Sequence, residues 1–181
     1  MEDPIEETIE AFEELKDEGV ILYYGISSIR PNVIREYVKR SSIVSVMMQS
    51  SILDRRPEEE VLPLLAENNI SVVTRGPVAK GLLSPKYRDK LTEKGYLNYS
   101  GEELKEVLQT LEQKFLDKRT LTEAAIQYNL AQPAVASIIA GASSVEQLHA
   151  NANAVNSAPL TAEELAFIQK VSKASVYEAH R

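Results

Sequence analysis

Residues 135–155, VASIIAGASSVEQLHANANAV, pass from a strand-like run to a helical pattern within a few positions. Val135, Ile138 and Ile139 form the apolar run of a buried strand, and small residues beginning at Gly141 precede the helix. Backbone N–H groups at the start of a helix attract negative charge. The stretch therefore predicts a strand-to-helix corner that can bind an anion.

The rest of the chain repeats this alternation of strands and helices. Apolar, β-branched runs predict further strands at residues 20–27, 43–51 and 70–76. Apolar residues at helical spacing predict helices at residues 5–19, 30–40, 57–69, 101–116, 121–132 and 161–180. Asp54 is expected to cap the helix at 57–69, and Pro63 to bend or shorten it. Residues 78–100 are rich in charge, Gly and Pro, and predict a long segment with no regular core element.

Strands separated by helices predict an α/β fold with a parallel sheet, since parallel neighbours need crossover connections. Two architectures fit this order. One is a flavodoxin-like open sheet, in which the binding loop normally follows the first strand. The other consists of four parallel βα units that form half of a TIM (β/α)8 barrel, plus extra helices. We favour the half-barrel, because barrels often bind phosphate after their last strands, where the small-residue corner lies in this chain.

Composition narrows the choice of partners. The chain has 181 residues and a net charge of −7, which is typical of a single acidic globular domain over residues 1–181. This charge argues against nucleic acid or an anionic membrane as a partner, because both need a basic surface. There is no cysteine, and His149 and His180 are too few for a metal site. With no signal peptide and no membrane-length apolar run, we expect a cytoplasmic protein.

Four blocks of the sequence carry a more specific signal. They are ETIEAFEELKDEGVILYYGISS (7–28), QSSILDRRPEEEVLPLLAENNISVV (49–73), GPVAKGLLSPKY (76–87) and SIIAGASSVEQLHANANAV (137–155). In this order they resemble the aldo-keto reductase family, whose members are NADPH-dependent reductases built on a (β/α)8 barrel. The blocks match the part that follows the family's fourth strand, with residues 1–8 in the loop before its fourth helix. The resemblance therefore implies the C-terminal, cofactor-binding half of the barrel.

The resemblance also bears on catalysis. Family members transfer hydride from the nicotinamide to a carbonyl carbon, while a tyrosine, helped by a lysine, an aspartate and a histidine, donates a proton. In the family these groups come from the first four strands, outside the matched blocks. Tyr23 and Tyr24 lie within a predicted strand and are expected to be packing residues. The resemblance thus implies no catalytic residue in this chain, and we expect the chain alone not to reduce carbonyls.

A cofactor site is implied along the strand ends. Ser27, Ser28 and Gln49 match the residues that hold the nicotinamide carboxamide. Arg75 stands where many members stack an aromatic ring on the nicotinamide. The loop that encloses the pyrophosphate is matched by Gly76, Pro77, Val78, Lys80 and Gly81, with Lys86 as a further positive charge.

The corner after the last predicted strand matches the adenosine end of the family's site. Ser143 and Gln147 correspond to residues that face the 2′-phosphate, Asn151 corresponds to a residue at the adenine, and Gly141 precedes them. Many members carry a basic residue in place of Ser143, and a hydroxyl cannot match a charge-assisted bond to phosphate. We therefore expect a weak or partial NADP(H) site, with the preference over NAD left open. Helix capping, strand-end capping and a solvated surface loop are the simpler interpretations of the same residues.

Half of a barrel has exposed edges. It leaves two edge strands and an apolar inner face uncovered, which promotes association. No charged residue interrupts residues 43–48 or 135–140. We expect a homo-oligomer, or pairing with a complementary N-terminal half-barrel. The alternative function is a non-catalytic nucleotide-binding or structural half-barrel module that self-associates.

Overall fold

The computed structural model describes residues 5–181, within which four strands alternate with seven α-helices. The strands are β1 (Gly25–Ser27), β2 (Ser45–Gln49), β3 (Ser71–Arg75) and β4 (Val135–Ile139). The helices are α1 (Ile5–Asp17), α2 (Pro31–Arg40), α3 (Val61–Glu67), α4 (Gly101–Phe115), α5 (Leu121–Leu130), α6 (Val145–Val155) and α7 (Ala162–Val171). Residues 5–8 belong to α1, as their helical spacing predicts, so the loop that the resemblance implies there is wrong. Residues 1–4 lie outside the described part.

The strands form one parallel sheet in the order β1-β2-β3-β4. The register pairs Ser27 with Met47 and Gln49 with Arg75, and Arg75 also pairs with Ile139 of β4. The carboxyl ends of the strands therefore lie side by side. The predicted parallel α/β fold is confirmed. The sequential order lacks the reversal of a doubly wound sheet, so the flavodoxin-like alternative is wrong for the described residues.

Burial alternates along the central strands. Val46 and Val72 are fully buried, both in the cluster that packs on α1, α2 and α3. Met47, on the opposite face of β2, is only half-buried. Side chains alternate between the two faces of a strand, so Gln49 and Arg75 share that less covered face. The polar groups at the strand ends thus lie on the side of the sheet that the helices leave open.

A second cluster of buried side chains lies beyond the ends of the strands. It joins α4, α5 and α7 to the irregular segment, with Leu83, Tyr87, Tyr99, Leu108, Phe115, Tyr128 and Ile168 among its members. Residues 78–100 have no α-helix or strand, as predicted, but they do contribute to the core, since Tyr87 and Tyr99 are 0% and 2% exposed. The segment turns at Gly95, whose φ is +69° and where a Cβ would lie 1.9 Å from the Tyr99 carbonyl oxygen. Only glycine fits that turn.

Capping side chains set the starts of α4 and α5. The Ser100 hydroxyl accepts from the Glu103 N–H (3.2 Å), and the Glu103 carboxylate accepts from the Ser100 N–H (2.8 Å). Thr120 and Glu123 form the same reciprocal pair on α5, so Thr120 is the cap. Each such cap stabilises its helix by about 1 kcal/mol. These helices therefore begin where the sequence predicts.

The strand predicted at residues 20–27 is reduced to Gly25–Ser27. The N–H groups of Val20 and Ile21 donate to the Leu15 carbonyl at the end of α1, so they are not available to a strand. Tyr23 is 71% exposed and does not pack. Tyr24 packs as predicted, since its ring stacks on Phe12 with centroids 5.0 Å apart.

Two predicted helices are also shorter. The helix predicted at 57–69 begins at Val61, and Pro63 lies in its first turn, where a missing N–H is tolerated. The helix predicted at 161–180 ends at Val171. Beyond it the Lys173 N–H donates to the Tyr99 hydroxyl (2.6 Å), which leads the tail away from the helix axis. Residues 173–181 therefore cross the molecule as an extended tail.

Candidate cofactor site

Gln49 lies at the centre of a polar network at the ends of β2 and β3. Its Oε1 accepts a hydrogen bond from Arg75 Nη1 at 2.9 Å, and its Nε2 donates to Asp54 Oδ2 at 2.8 Å. The Tyr96 hydroxyl lies 3.4 Å from the same Nε2. The structure thus brings the predicted residues Gln49 and Arg75 into direct contact.

Asp54 was predicted as a helix cap, and this is wrong. A tight turn brings the side chain of Asp54 back to Gln49. The Asp54 N–H donates to the Ser51 carbonyl (3.0 Å), and the Ser51 N–H donates to the Asp54 carbonyl (3.2 Å). The carboxylate is 0% exposed and accepts from Arg56 Nε and Nη2, both at 2.7 Å. A bidentate guanidinium is the partner that makes burial of a carboxylate tolerable.

The C-terminal tail covers this network. The Arg56 guanidinium lies 4.9 Å from the centroid of the Tyr177 ring. Tyr177 is buried, and its hydroxyl has no hydrogen-bond partner among the described residues. Burial, reinforced by the nearby Asp54 carboxylate, raises the pKa of the Tyr177 hydroxyl to about 12. Sequence reasoning missed Asp54, Arg56 and Tyr177 as site residues, because no spacing pattern links them.

Ser27 and Ser28 lie at the end of β1, on the wall of a cleft of about 910 Å³ that Asn32 and His180 also line. The Ser28 N–H donates to the Met47 carbonyl (3.1 Å), and its hydroxyl accepts from the Arg30 N–H (3.1 Å). Ser28 therefore caps the end of the strand, which is the simpler interpretation given above, while Ser27 is exposed beside it.

The loop after β3 has an unusual backbone. Gly76, Lys80 and Gly81 have φ values of +68°, +59° and +90°. Glycine adopts this region freely, whereas Lys80 occupies it at a cost of roughly 1 kcal/mol. Its side chain is exposed. Pro77 is buried, and the Val78 carbonyl accepts the Gly81 N–H (2.9 Å), so the loop folds tightly against the ends of the strands.

The corner between β4 and α6 brings its four predicted residues together. Gln147 Oε1 accepts from the Ser143 N–H at 2.8 Å, and Asn151 Nδ2 donates to the Gly141 carbonyl at 3.2 Å. Ser144 caps α6. Gly141 does not have a positive φ, and a Cβ there would meet nothing within 4 Å. Close packing therefore does not require glycine at this position.

Charge at the corner is mixed. The Ser144 hydroxyl, and more weakly the Lys86 ammonium, hold the pKa of the Glu146 carboxyl below its usual value. Lys86 thus lies near enough to the corner to act on it electrostatically.

None of the helices within residues 5–181 has the length and apolar character needed to span a bilayer.

Comparisons with known proteins identify the family of this chain. The model of the Aldo/keto reductase family matches residues 1–173. An uncharacterized oxidoreductase of Bacillus subtilis, YqkF, is 60% identical over 185 residues that cover 100% of this chain and 60% of the relative. An NADH-specific methylglyoxal reductase of Escherichia coli is 34% identical, covering 84% of this chain and 49% of that protein.

The solved structures give the same result. An aldo-keto reductase of Bacillus halodurans in its holo form superposes with a TM-score of 0.89 at 60% identity, covering 99% of this chain and 60% of that one. The chain therefore spans between about half and three-fifths of the length of these relatives. With the family model matching nearly its whole length, the chain belongs to the aldo/keto reductase family.

Proposed function

We propose that these residues form the cofactor-binding half of an oxidoreductase, the C-terminal half of a (β/α)8 barrel. One observation carries this proposal: four groups lie along one rim, at the ends of four adjacent parallel strands. They are the Gln49 amide, the Arg75 guanidinium, the loop at residues 76–81 and the N-terminus of α6. In barrels, this is the rim that carries function.

The residues present fit a nicotinamide dinucleotide. Gln49 and Ser27 offer the amide and hydroxyl groups that a nicotinamide carboxamide needs, and Arg75 lies beside Gln49 with a planar face suited to stacking. Lys80 and the backbone around Gly76 suit the two negative charges of a pyrophosphate. When bound, the dinucleotide would supply the hydride, while the chain binds and orients it.

For the adenosine end we propose NADP(H) as the ligand, at a weak or partial site. Ser143 matches a residue that faces the 2′-phosphate in the family, but its N–H already donates to Gln147 Oε1. A 2′-phosphate would have to displace that amide oxygen, and no arginine or lysine replaces it at position 143.

Binding of NADPH tests the proposal. Its fluorescence should respond to the protein with a dissociation constant in the micromolar range, about −8 kcal/mol. Lys80→Gln should weaken binding by about tenfold if its ammonium bonds the pyrophosphate. Lys94→Gln removes an equally exposed ammonium from the same segment, outside the matched loop 76–81, and as the matched control it should bind as the unaltered protein does. Equal effects of the two substitutions would contradict the assignment.

We also propose that the chain alone does not reduce carbonyls, because the resemblance assigns none of its residues to proton donation. Purified protein mixed with NADPH and an aromatic aldehyde should show no oxidation of NADPH above background. Turnover by the isolated chain would refute this.

We also propose that the protein is cytoplasmic.

A second candidate is a structural or nucleotide-binding module that self-associates. Exposed apolar side chains on β4 and α6 favour it: Ile139, Val145 and Leu148 are 49%, 65% and 59% exposed. Light scattering at micromolar concentration should show a dimer or a complex with a complementary half. A folded monomer that binds NADPH would favour the first candidate, the cofactor-binding half, and would argue against self-association.

A further inference from the structure

We propose that Asp54 is a positioning residue: it fixes the side-chain amide of Gln49 so that Gln49 presents its oxygen, and not its N–H₂ group, to the cofactor. This inference rests on the proposed binding of a nicotinamide carboxamide beside Gln49. It gives Asp54 a role that neither composition nor spacing predicts.

The orientation of the Gln49 amide follows from two independent contacts. The Asp54 carboxylate oxygen at 2.8 Å serves as an acceptor, so the amide atom facing it is the N–H₂ donor. The Arg75 guanidinium at 2.9 Å can only donate, so the atom facing it is the carbonyl oxygen. Both contacts assign the same orientation, and a flipped amide would break both.

Asp54 can act in this way because it is itself held. Arg56 donates two hydrogen bonds of 2.7 Å, one to each carboxylate oxygen, and the side chain of Asp54 is fully buried. Tyr177 covers the guanidinium from the other side. Rotation of the buried carboxylate would therefore break two charge-assisted hydrogen bonds.

The consequence is selectivity for one part of the carboxamide. A fixed Gln49 oxygen accepts from the carboxamide N–H₂ group and offers no donor to its carbonyl. The 3-acetylpyridine analogue of the cofactor has a methyl ketone in place of the carboxamide and therefore no N–H. We expect the protein to bind NADPH about tenfold more tightly than the reduced analogue, the effect of one hydrogen bond.

The experiment measures both dissociation constants, by fluorescence titration, for the unaltered protein and two variants. In Asp54→Asn the new amide can accept or donate, so Gln49 can turn, and the ratio of the two constants should fall to about twofold. Glu58→Gln is the matched control. Glu58 is a carboxylate on the following turn that binds Arg55 and the Tyr128 hydroxyl, and none of its hydrogen bonds is to Gln49. Its variant should keep the tenfold ratio.

The outcomes separate the possibilities. If Asp54→Asn lowers both affinities and leaves their ratio unchanged, Asp54 is merely structural and the inference is overturned. If the unaltered protein binds both dinucleotides equally, the inference fails while the proposed function stands. If it binds neither, both fail.

A second measurement tests the inference if Asp54→Asn does not fold. In the unaltered protein, the Gln49 side-chain N–H₂ signals, assigned by their loss in Gln49→Met, should exchange with solvent much more slowly than those of the exposed Gln109. Exchange as fast as that of Gln109 would show that Asp54 does not hold the amide, and would overturn the inference.

Discussion

The two ends of the proposed cofactor site are built differently. At the ends of β2 and β3, Asp54 is fully buried and holds Gln49 in a network that includes residues far apart in the sequence. At the corner after β4, every residue from 141 to 150 is exposed, and the hydrogen bonds are local. Preorganised groups bind a ligand without the entropic cost of ordering them. The nicotinamide end is therefore preorganised by this chain, and the adenosine end is less so.

The contrast extends to the supporting helices. Leu65 of α3 is 0% exposed beneath the central strands. Within α6, by contrast, the one described residue that is buried is Ala154. The end of that helix is held by Gln127, whose Nε2 donates to the Ala154 carbonyl at 2.8 Å. At this edge β4 is paired with β3 along the strand, whereas α6 is buried only near its C-terminal end.

The largest expected difference is in stability. Leu65→Ala should lower the free energy of unfolding by about 2–5 kcal/mol, because it leaves a cavity in a closed core. Leu148→Ala, the same change at a side chain that is 59% exposed, should change it by less than about 0.5 kcal/mol. Urea denaturation measures both. Comparable losses would mean that the edge of β4 and α6 is covered in solution.

Association is the next largest effect. If the exposed face at Ile139 joins copies of the chain, Ile139→Lys should weaken the dimer by roughly thirtyfold, since it buries a charge among apolar groups. Sedimentation over a range of concentrations gives the dissociation constant. Lys170→Ile, a reverse change at an exposed site on α7, should leave it unaltered, and an equal effect of both would contradict the proposed interface.

Nucleotide preference tests the adenosine end directly. Ser143→Lys should tighten NADPH binding by about tenfold, because an ammonium adds a charge-assisted bond to the 2′-phosphate. NADH lacks that phosphate, and its affinity should stay the same. Parallel titrations of the two dinucleotides measure the change, and an equal gain for NADH would place the phosphate elsewhere.

The smallest expected effect is in the response to acid. The Thr161 backbone N–H, and to a lesser degree the Arg119 guanidinium, hold the pKa of the buried Glu164 below 4.5. A depressed pKa contributes stability that is present above pH 4.5 and is lost as the pH falls through the lower, folded-state value. Glu164→Gln should therefore flatten the acid side of the stability profile.

Glu146, at the exposed corner, is the matched site for that measurement. Its pKa is also lowered, chiefly by the Ser144 hydroxyl, but water screens its interactions. Glu146→Gln should leave the acid side of the profile nearly unchanged. Unfolding by urea at several pH values below 5 compares the two, and identical profiles would contradict the role given to burial.

Local signals in the sequence were enough for much of the fold. Ser100 and Thr120 cap their helices with a glutamate three residues on, and that spacing is visible in the sequence. The corner at Ser143 was also predictable, since Gln147 lies one helical turn away. These contacts depend on neighbours within a few residues.

Contacts that override the local pattern could not be predicted in this way. Asp54 precedes a charged helical turn and therefore resembles a cap, yet its role depends on Gln49 and Arg56 in three dimensions. Likewise, an apolar run from Val20 is typical of a strand, but the first two N–H groups of this run donate to the carbonyl of Leu15. In both cases a competing partner, not the local propensity, decides the outcome.

The contact between Tyr177 and Arg56 has a practical consequence. The chain contains no tryptophan, so Tyr177→Trp would introduce a single indole chromophore against the guanidinium. Its emission could be excited selectively, without interference from the tyrosines that remain in the chain. Such a reporter would reveal when the tail lifts from the strand ends, even in mixtures with unlabelled protein.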